Sequence, residues 1–452
     1  MAERILFGTD GIRGVANIYP VTPEVALRLG RAVGFHFRQE GQERSCVVVG
    51  RDTRLSGGML EDALVAGLNS VGVDALLAGV LPTPGVALLV RELHARGGVV
   101  ISASHNPAGD NGLKLFGADG HKLDDSEEER LEALILTPEI DGLRPCGDEV
   151  GIKRVIGDAS QRYGASVMAS VPGMTLHGIK VAVDCANGAS FRTTPEVLQK
   201  LGATVLAFHD SPDGLNINDS CGSTHPGEIA RLILETGAQV GISHDGDADR
   251  LVLVDEKGGI LDGDEILAMT ALDGLKRGTL AGKTLVATVM SNFGLDECIA
   301  SAGGSVLRTA VGDRYVVDAM RNGNFSIGGE QSGHLIFRDH GTTGDGLLAA
   351  LQVLRIMTES GKPLSELRLC LKKYPQAQRN LTVKSKPSLK TLPKVSALVA
   401  KTEKSLAGKG RVLLRYSGTE PKVRLLIEGS DETMINAAAD AIATALTKSI
   451  GA

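Results

Sequence analysis

Short apolar runs alternate with amphipathic segments along most of this chain, and that alternation limits its possible folds more than any other feature. Val25, Leu29, Val33 and Phe37 recur at helical spacing. Cys46–Val49 reads as a buried strand, Met59–Leu68 as a helix and Val99–Ser102 as another strand. Such βα alternation predicts mostly parallel sheets covered by helices. A second unit begins after the Gly/Pro/Asp-rich segment 142–151, with strands expected at Lys180–Asp184, Thr204–Ala207, Val240–Ser243 and Leu251–Asp255. A third unit has strands expected at Leu285–Thr288, Val306–Thr309 and Ser326–Gly328. The last starts near Leu369 and carries a Lys/Pro-rich segment, 384–394. Strands at Arg411–Arg415 and Val423–Glu428 precede a closing helix over 431–448.

The expected fold is therefore α/β in four domains, bounded at 1–150, 151–254, 255–368 and 369–452. Three are similar mixed or parallel-sheet units, and the fourth is a smaller α+β domain. The length of 452 residues suits three or four domains at about 100–200 residues each.

Composition removes several functions. Apolar residues make up 42% and charged residues 23%, which excludes a disordered chain. Net charge is −6 and aromatics are 3%, so nucleic acid is not an expected partner. The six cysteines form no C-x-x-C pair and no zinc spacing, and read as free thiols of a reducing cytoplasm. No signal-peptide profile opens the chain. The longest uncharged stretch, Ala75 to Val90, is broken by Pro82 and Pro84, so no membrane span is expected.

Five motifs carry chemistry. In Asp245-Gly246-Asp247-Ala248-Asp249-Arg250, three carboxylates alternate with small residues just after an expected strand. The backbone can curl and aim all three at one point, and oxygen-only ligands suit a hard cation such as Mg²⁺. Without a cation such a cluster repels itself. A solvated acidic turn is the plainer alternative. An EF-hand fails because its sixth position needs Gly and holds Arg250. Ser102-Ala103-Ser104-His105-Asn106-Pro107 follows an apolar run, at the carboxyl end of a strand, where α/β folds place their sites. A phosphate on Ser104 could complete the coordination offered by the three Asp. Asn111-Gly112-Leu113-Lys114 follows and brings a cation to the same mouth.

Gly328-Gly329-Glu330-Gln331-Ser332-Gly333-His334 is a glycine-framed polar loop suited to sugar hydroxyls, or a plain hairpin turn. Arg415-Tyr416-Ser417-Gly418-Thr419-Glu420-Pro421, with Arg424 beyond, reads as a phosphate nest or as a surface turn. Phe7-Gly8-Thr9-Asp10-Gly11-Ile12-Arg13-Gly14 lets Arg13 approach a phosphate closely.

Together these motifs resemble the α-D-phosphohexomutase superfamily from end to end. Gln331 resembles the phosphoglucosamine mutase branch, since the mannose/glucose branch usually has Met there. Asn216-Ile217-Asn218, Cys221-Gly222-Ser223-Thr224-His225, Thr288-Val289-Met290-Ser291-Asn292, Val311-Gly312-Asp313-Arg314 and Thr342-Thr343-Gly344-Asp345-Gly346 resemble it too. Two segments depart. Ala108-Gly109 stands where bulkier residues are common, and Ser243-His244 where apolar ones are usual.

The resemblance implies four domains around a central cleft and a phosphoserine at Ser104. It implies one Mg²⁺ held by Ser104, Asp245, Asp247 and Asp249, and a sugar 1,6-bisphosphate intermediate. Arg250 and Lys114 would add positive charge. Lys114, Arg13 and His334 are the candidate acid/base groups. Glu330, Ser332, Asp313 and Arg314 would bind the sugar, and Arg415, Ser417, Gly418, Thr419 and Arg424 the distal phosphate. The implied reaction interconverts glucosamine 6-phosphate and glucosamine 1-phosphate, supplying precursor for UDP-N-acetylglucosamine and cell-wall synthesis. A phosphomannomutase/phosphoglucomutase and a Mg²⁺-dependent sugar phosphatase are the alternatives. Expected partners are a hexosamine phosphate and a second copy of the chain, and the expected location is the cytoplasm.

Overall fold

Residues 5–8, 10–38, 44–417 and 421–451 are described by the computed structural model. The first sheet has six strands, in the order Ile12–Val15, Asp110–Gly117, Gly97–Ile101, Cys46–Arg51, Asp74–Val80 and Lys153–Val155. Its centre is parallel, and the two strands at the first edge run antiparallel. Helix Pro23–Phe37 starts where the Thr22 hydroxyl accepts from the Val25 amide and Pro23 opens the first turn. It packs on helix Gly57–Asn69 at backbone contact. A Cβ on Gly30 would lie 2.1 Å from the Leu64 carbonyl, and one on Gly67 2.2 Å from that of Leu27.

The second sheet runs Ile260–Leu261, Val252–Asp255, Val240–Ser243, Lys180–Asp184, Thr204–Phe208. The third runs Ser305–Thr309, Thr284–Thr288, Ile327–Gly329, Leu335–Phe337. The fourth is antiparallel throughout, with Lys422–Gly429 between Gln376–Thr382 and Gly410–Tyr416. Helices Pro393–Leu406 and Glu432–Ile450 share the apolar residues of its core with the strands.

Two observations about the cores position the site. One continuous buried cluster runs from Val48 in the first sheet through Val183 in the second to Leu285 in the third. The last domain buries its apolar residues in a separate cluster, with Val395, Ile427 and Ile442. Three domains thus share a core, and the fourth stands on its own.

The sequence reading differs from the structure in several elements. Ile12–Val15, Asp74–Val80, Asp110–Gly117 and Gln376–Thr382 are strands that were not assigned. Lys153–Val155 joins the first sheet and Ile260–Leu261 the second, so both sheets run past the residues 150 and 254 expected to close their units. Among the described residues, no helix is long and apolar enough to cross a membrane.

Candidate active site

Strand Gly97–Ile101 is fully buried and delivers the chain to Ser102. The Ser102 hydroxyl donates to Asp52 Oδ2 at 2.5 Å and accepts the Ser104 amide at 2.9 Å. That amide contact helps turn Ser104 into the left-handed region, with φ 54°, a conformation that costs an L-residue roughly 1–2 kcal/mol. Arg54 holds the turn. Its guanidinium pairs with Asp52 at 2.8 Å and donates to the carbonyls of Ser104, Asn106, Asp110 and Pro107. Asn218, from the second domain, donates to the Ser104 and Asn106 carbonyls at 2.9 and 3.0 Å. Ser102 is therefore committed to the frame, while the Ser104 hydroxyl donates across the seam to Asp245 Oδ2 at 2.6 Å. His105 Nδ1 lies 3.4 Å from that hydroxyl. Burial, then Arg250 and Arg13, push its imidazole down to about 4, so the ring is neutral.

Asp245, Asp247 and Asp249 follow the buried strand Val240–Ser243, and all three are buried. One ligand oxygen of each lies within 4.8 Å of the others. Ala248, at φ 58°, makes the curl. Gly246 allows the two loops to touch, since a Cβ there would lie 2.5 Å from the Ser104 carbonyl. Lys114 is the counter-charge, 2.6 Å from Asp247 Oδ2 and 3.4 Å from Asp249 Oδ2, and the Thr83 hydroxyl donates to Asp247 at 2.5 Å. Burial opposes the Lys114 charge, but Asp247, Asp10 and Asp249 outweigh it and raise its pKa. Burial and the two neighbouring carboxylates push Asp245 up to about 7. Asp247 Oδ1 and Asp249 Oδ1 are buried without a hydrogen-bond partner. Buried carboxylate oxygens with no hydrogen bond of their own, converging with a serine hydroxyl, form an all-oxygen donor set, which fits a hard divalent cation.

Most of the remaining expected residues gather round this centre. Arg250 donates its amide to Asp245 Oδ1 at 3.2 Å, and its Nε lies 3.9 Å from Asp249. Arg13 pairs with Asp10, which also binds Lys122 and lies 3.6 Å from Lys114. His334 Nδ1 lies 3.6 Å from Asp249, and its Nε2 accepts the Gly344 amide at 3.0 Å. The amide fixes the tautomer with the proton on Nδ1, facing Asp249. Glu330 accepts the Gly312 amide at 3.0 Å, Gln331 Nε2 donates to Asp262 at 3.2 Å, and Ser332 is exposed.

Other residues lie elsewhere. Asp313 is bound by Lys122, lies 3.6 Å from His334 and lines an open pocket together with Lys122 and Arg314. Arg314 follows it in the same pocket wall. Its long side chain reaches the acidic first turn of helix Asp125–Leu136 and pairs with Asp125 and Glu128, fastening the third domain to the first. Arg415 stands opposite Arg424 in the strand register, and Arg415 Nε is buried without a partner. Ser417 is buried beside them, its carbonyl accepting from Lys386 Nζ at 2.8 Å. Gly418 and Thr419 lie outside the described residues. His244, one of the two departures, is neutral: burial pushes it down to about 4. It bridges the Arg250 carbonyl and the Thr194 hydroxyl, each at 3.1 Å.

The sequence reading missed Arg54, Thr83, Lys122 and the loop-framing roles of Ser102 and Asn218. A dense charged run, Arg51-Asp52-Thr53-Arg54, directly after a buried strand was the available signal.

Models of four phosphoglucomutase/phosphomannomutase domains match the chain in order: alpha/beta/alpha domain I over residues 4–140, domain II over 163–259, domain III over 262–374 and the C-terminal domain over 379–445. Fold and site define a phosphohexomutase, an isomerase. The chain is 52% identical over 450 residues to a phosphoglucosamine mutase of Syntrophotalea carbinolica, covering 99% of this chain and 98% of that one. It is 51% identical to one of Anaeromyxobacter, covering 99% and 96%. It belongs to the phosphoglucosamine mutase family. Among solved structures, a phosphoglucomutase/phosphomannomutase family protein of Burkholderia thailandensis superposes with a TM-score of 0.83 at 25% identity, covering 98% and 97% of the two chains. An N-acetylphosphoglucosamine mutase of Aspergillus fumigatus, solved with GlcNAc-6P and magnesium, shares the fold with a TM-score of 0.61 at 20% identity over 94% of this chain and 99% of that one.

Proposed function

We propose that this chain interconverts glucosamine 6-phosphate and glucosamine 1-phosphate through a phosphoserine at Ser104 and a sugar 1,6-bisphosphate. The observation that carries the reading is the 2.6 Å contact between the Ser104 hydroxyl and Asp245, made where two domains meet beside buried carboxylate oxygens with no hydrogen bond of their own. Ser104 Oγ carries the phosphoryl group, and its left-handed turn presents that oxygen to the cleft. Mg²⁺, when held by Asp245, Asp247, Asp249 and Ser104, would neutralise charge on the transferring phosphoryl oxygens. Lys114 and Arg250 add fixed positive charge beside them. Lys114 is held charged by carboxylates, so it acts first as an electrostatic group. His105, neutral and 3.4 Å from the Ser104 oxygen, joins Arg13 and His334 as a proton-transfer candidate.

Arg415 and Arg424 are like charges side by side, an arrangement that a dianionic phosphate relieves. They grip the distal phosphate, with Ser417 and the segment through Thr419. Glu330 and Ser332 hold ring hydroxyls. Gln331 gives its amide nitrogen to Asp262, which leaves the amide oxygen as acceptor for an ammonium at C2. One hydrogen bond to a charged group is worth about 1.5–3 kcal/mol, so the amino sugar is preferred roughly ten- to a hundredfold.

The test is a competition among glucosamine, glucose and mannose 6-phosphates, with mass spectrometry of the phosphoryl adduct. The highest kcat/KM is expected for glucosamine 6-phosphate, with the adduct at Ser104 and no activity in Ser104→Ala. Equal or better turnover of mannose or glucose phosphate would transfer the reading to a phosphomannomutase/phosphoglucomutase.

A further inference from the structure

The second domain holds another group of metal-ligating side chains outside the active site. Asp184 ends strand Lys180–Asp184, and His209 directly follows the neighbouring parallel strand Thr204–Phe208. Cys221 comes from the loop that also presents Asn218. Ligand sites in α/β sheets form at such carboxyl ends. One ligand atom from each of the three residues lies within 4.8 Å of the other two. Asp184 and Cys221 are fully buried, while the His209 side chain is 30% exposed and leaves a path from solvent.

We propose that Asp184, His209 and Cys221 form a second metal site, selective for zinc-class cations, behind the active-site carboxylate loop. A carboxylate, an imidazole and a thiol are the three ligand types of zinc, and three protein ligands plus water complete a tetrahedron. The thiol excludes Mg²⁺ and Ca²⁺, which take oxygen ligands, so the two sites choose different metals. Atoms bound to tetrahedral zinc stand roughly 3.3–3.8 Å apart. His209 Nδ1 is already 3.1 Å from Asp184 Oδ1. With one sulfur in the set, its pairs with nitrogen and oxygen would stand about 3.5 Å apart, so the widest pair needs to contract by at most about 1.3 Å to reach zinc geometry.

The ligands are also oriented. Asp184 Oδ1 accepts the Ala186 amide at 2.9 Å, and Oδ2 accepts the Gly222 amide at 2.8 Å. Backbone donors of this kind hold a carboxylate in one rotamer, as outer partners do in metal sites. Binding expels the Cys221 thiol proton and moves the imidazole proton from Nδ1 to Nε2. The sequence alone concealed the group because its members are 25 and 12 residues apart and share no motif.

The site touches the active centre through the backbone. The Asp184 carbonyl accepts the His244 amide at 3.1 Å, and the His244 carbonyl accepts the Ser223 amide at 2.8 Å. His244 immediately precedes Asp245. Drawing Asp184 and Cys221 together therefore acts on both sides of the residue that leads into the carboxylate loop.

The experiment titrates Co²⁺ into the full chain at saturating Mg²⁺. An intense near-ultraviolet thiolate-to-cobalt band is expected at one Co²⁺ per chain, and equimolar Zn²⁺ should bleach it. Cys221→Ser and His209→Asn should each lose the band, while Cys146→Ser, at an exposed thiol, should keep it. Thermal melting of His209→Asn, a partly exposed position, checks that the fold survives. The proposal is overturned by the absence of any band, by a band that persists in Cys221→Ser or His209→Asn, or by its loss in Cys146→Ser.

Discussion

At the scale of single residues, the structure assigns different work to two serines that a sequence can hardly tell apart. Ser102 is a donor to Asp52 and an acceptor for the Ser104 amide, and Ser104 faces Asp245. Arg54 makes that difference possible, and nothing in its local sequence announces four carbonyl partners. A lysine at 54 keeps a charge but not the planar fork. If Ser104 is the phosphoryl carrier proposed above, Arg54→Lys should lower kcat about a hundredfold, because a displacement near 1 Å at its oxygen costs that much. KM should move little. Steady-state kinetics decide it, and an unchanged kcat would remove Arg54 from the account of the loop.

Asp264 sets a second prediction at this scale. Burial, then the nearby Asp262, push its carboxyl up to about 6. The unfolded chain releases this proton near pH 4, the folded chain only near pH 6. Stability from this group is therefore fullest below about pH 4 and declines by roughly 2–3 kcal/mol between about pH 4 and pH 6, staying low above that. Denaturant midpoints of wild type and Asp264→Asn at pH 4.5 and 6.5 should diverge in that direction. Parallel behaviour of the two proteins would contradict it.

At the scale of elements, the sequence was most legible where a segment served packing alone. Lys180–Asp184 and Val240–Ser243 have the expected bounds, because each is a short apolar run on a two-sided sheet. Asp110–Gly117 was opaque because its pattern is broken by polar and glycine residues. Lys114 occupies an interior strand position opposite Val100, and Asn111-Gly112 is a pair that favours turns over strands. Gly112 lies where a Cβ would meet the Ile12 and Ser102 carbonyls at 2.8 Å, a requirement visible only once three strands are assembled. The same holds for the contact between the serine and carboxylate loops. Gly246→Ala would press a methyl group against the Ser104 carbonyl, Ile217 and Asn218, all within 2.9 Å. The loops should part, with kcat/KM down by about a hundredfold or more while the melting temperature falls only modestly. A variant with normal turnover would show that the two loops need no such approach.

At the scale of the whole molecule, the separate core of the last domain leaves its docking to a few polar contacts. Glu428 is fully buried at that seam, accepting from Arg411, from the Phe293 amide at 3.1 Å and from Gln376 at 2.9 Å. Arg411 also donates to the Ser291 carbonyl at 2.6 Å. Glu428→Gln removes the charge that holds Arg411 and should loosen the docking by about 1.5–3 kcal/mol. A looser domain lets the bisphosphate leave before it turns over. Trapping of released bisphosphate should therefore rise several-fold per turnover, and an unchanged ratio would place the seam's control elsewhere. These inter-domain pairs were beyond sequence reading, since Arg314 and Glu128 stand 186 residues apart. The Ser104–Asp245 bond spans 141 residues in the same way. During synthesis at about 5–20 residues per second, the serine loop waits roughly 7–28 s for its carboxylate partner to emerge. The Ser104 hydroxyl thus waits without Asp245, and the contact between the two loops can form only after more than half of the chain has been made.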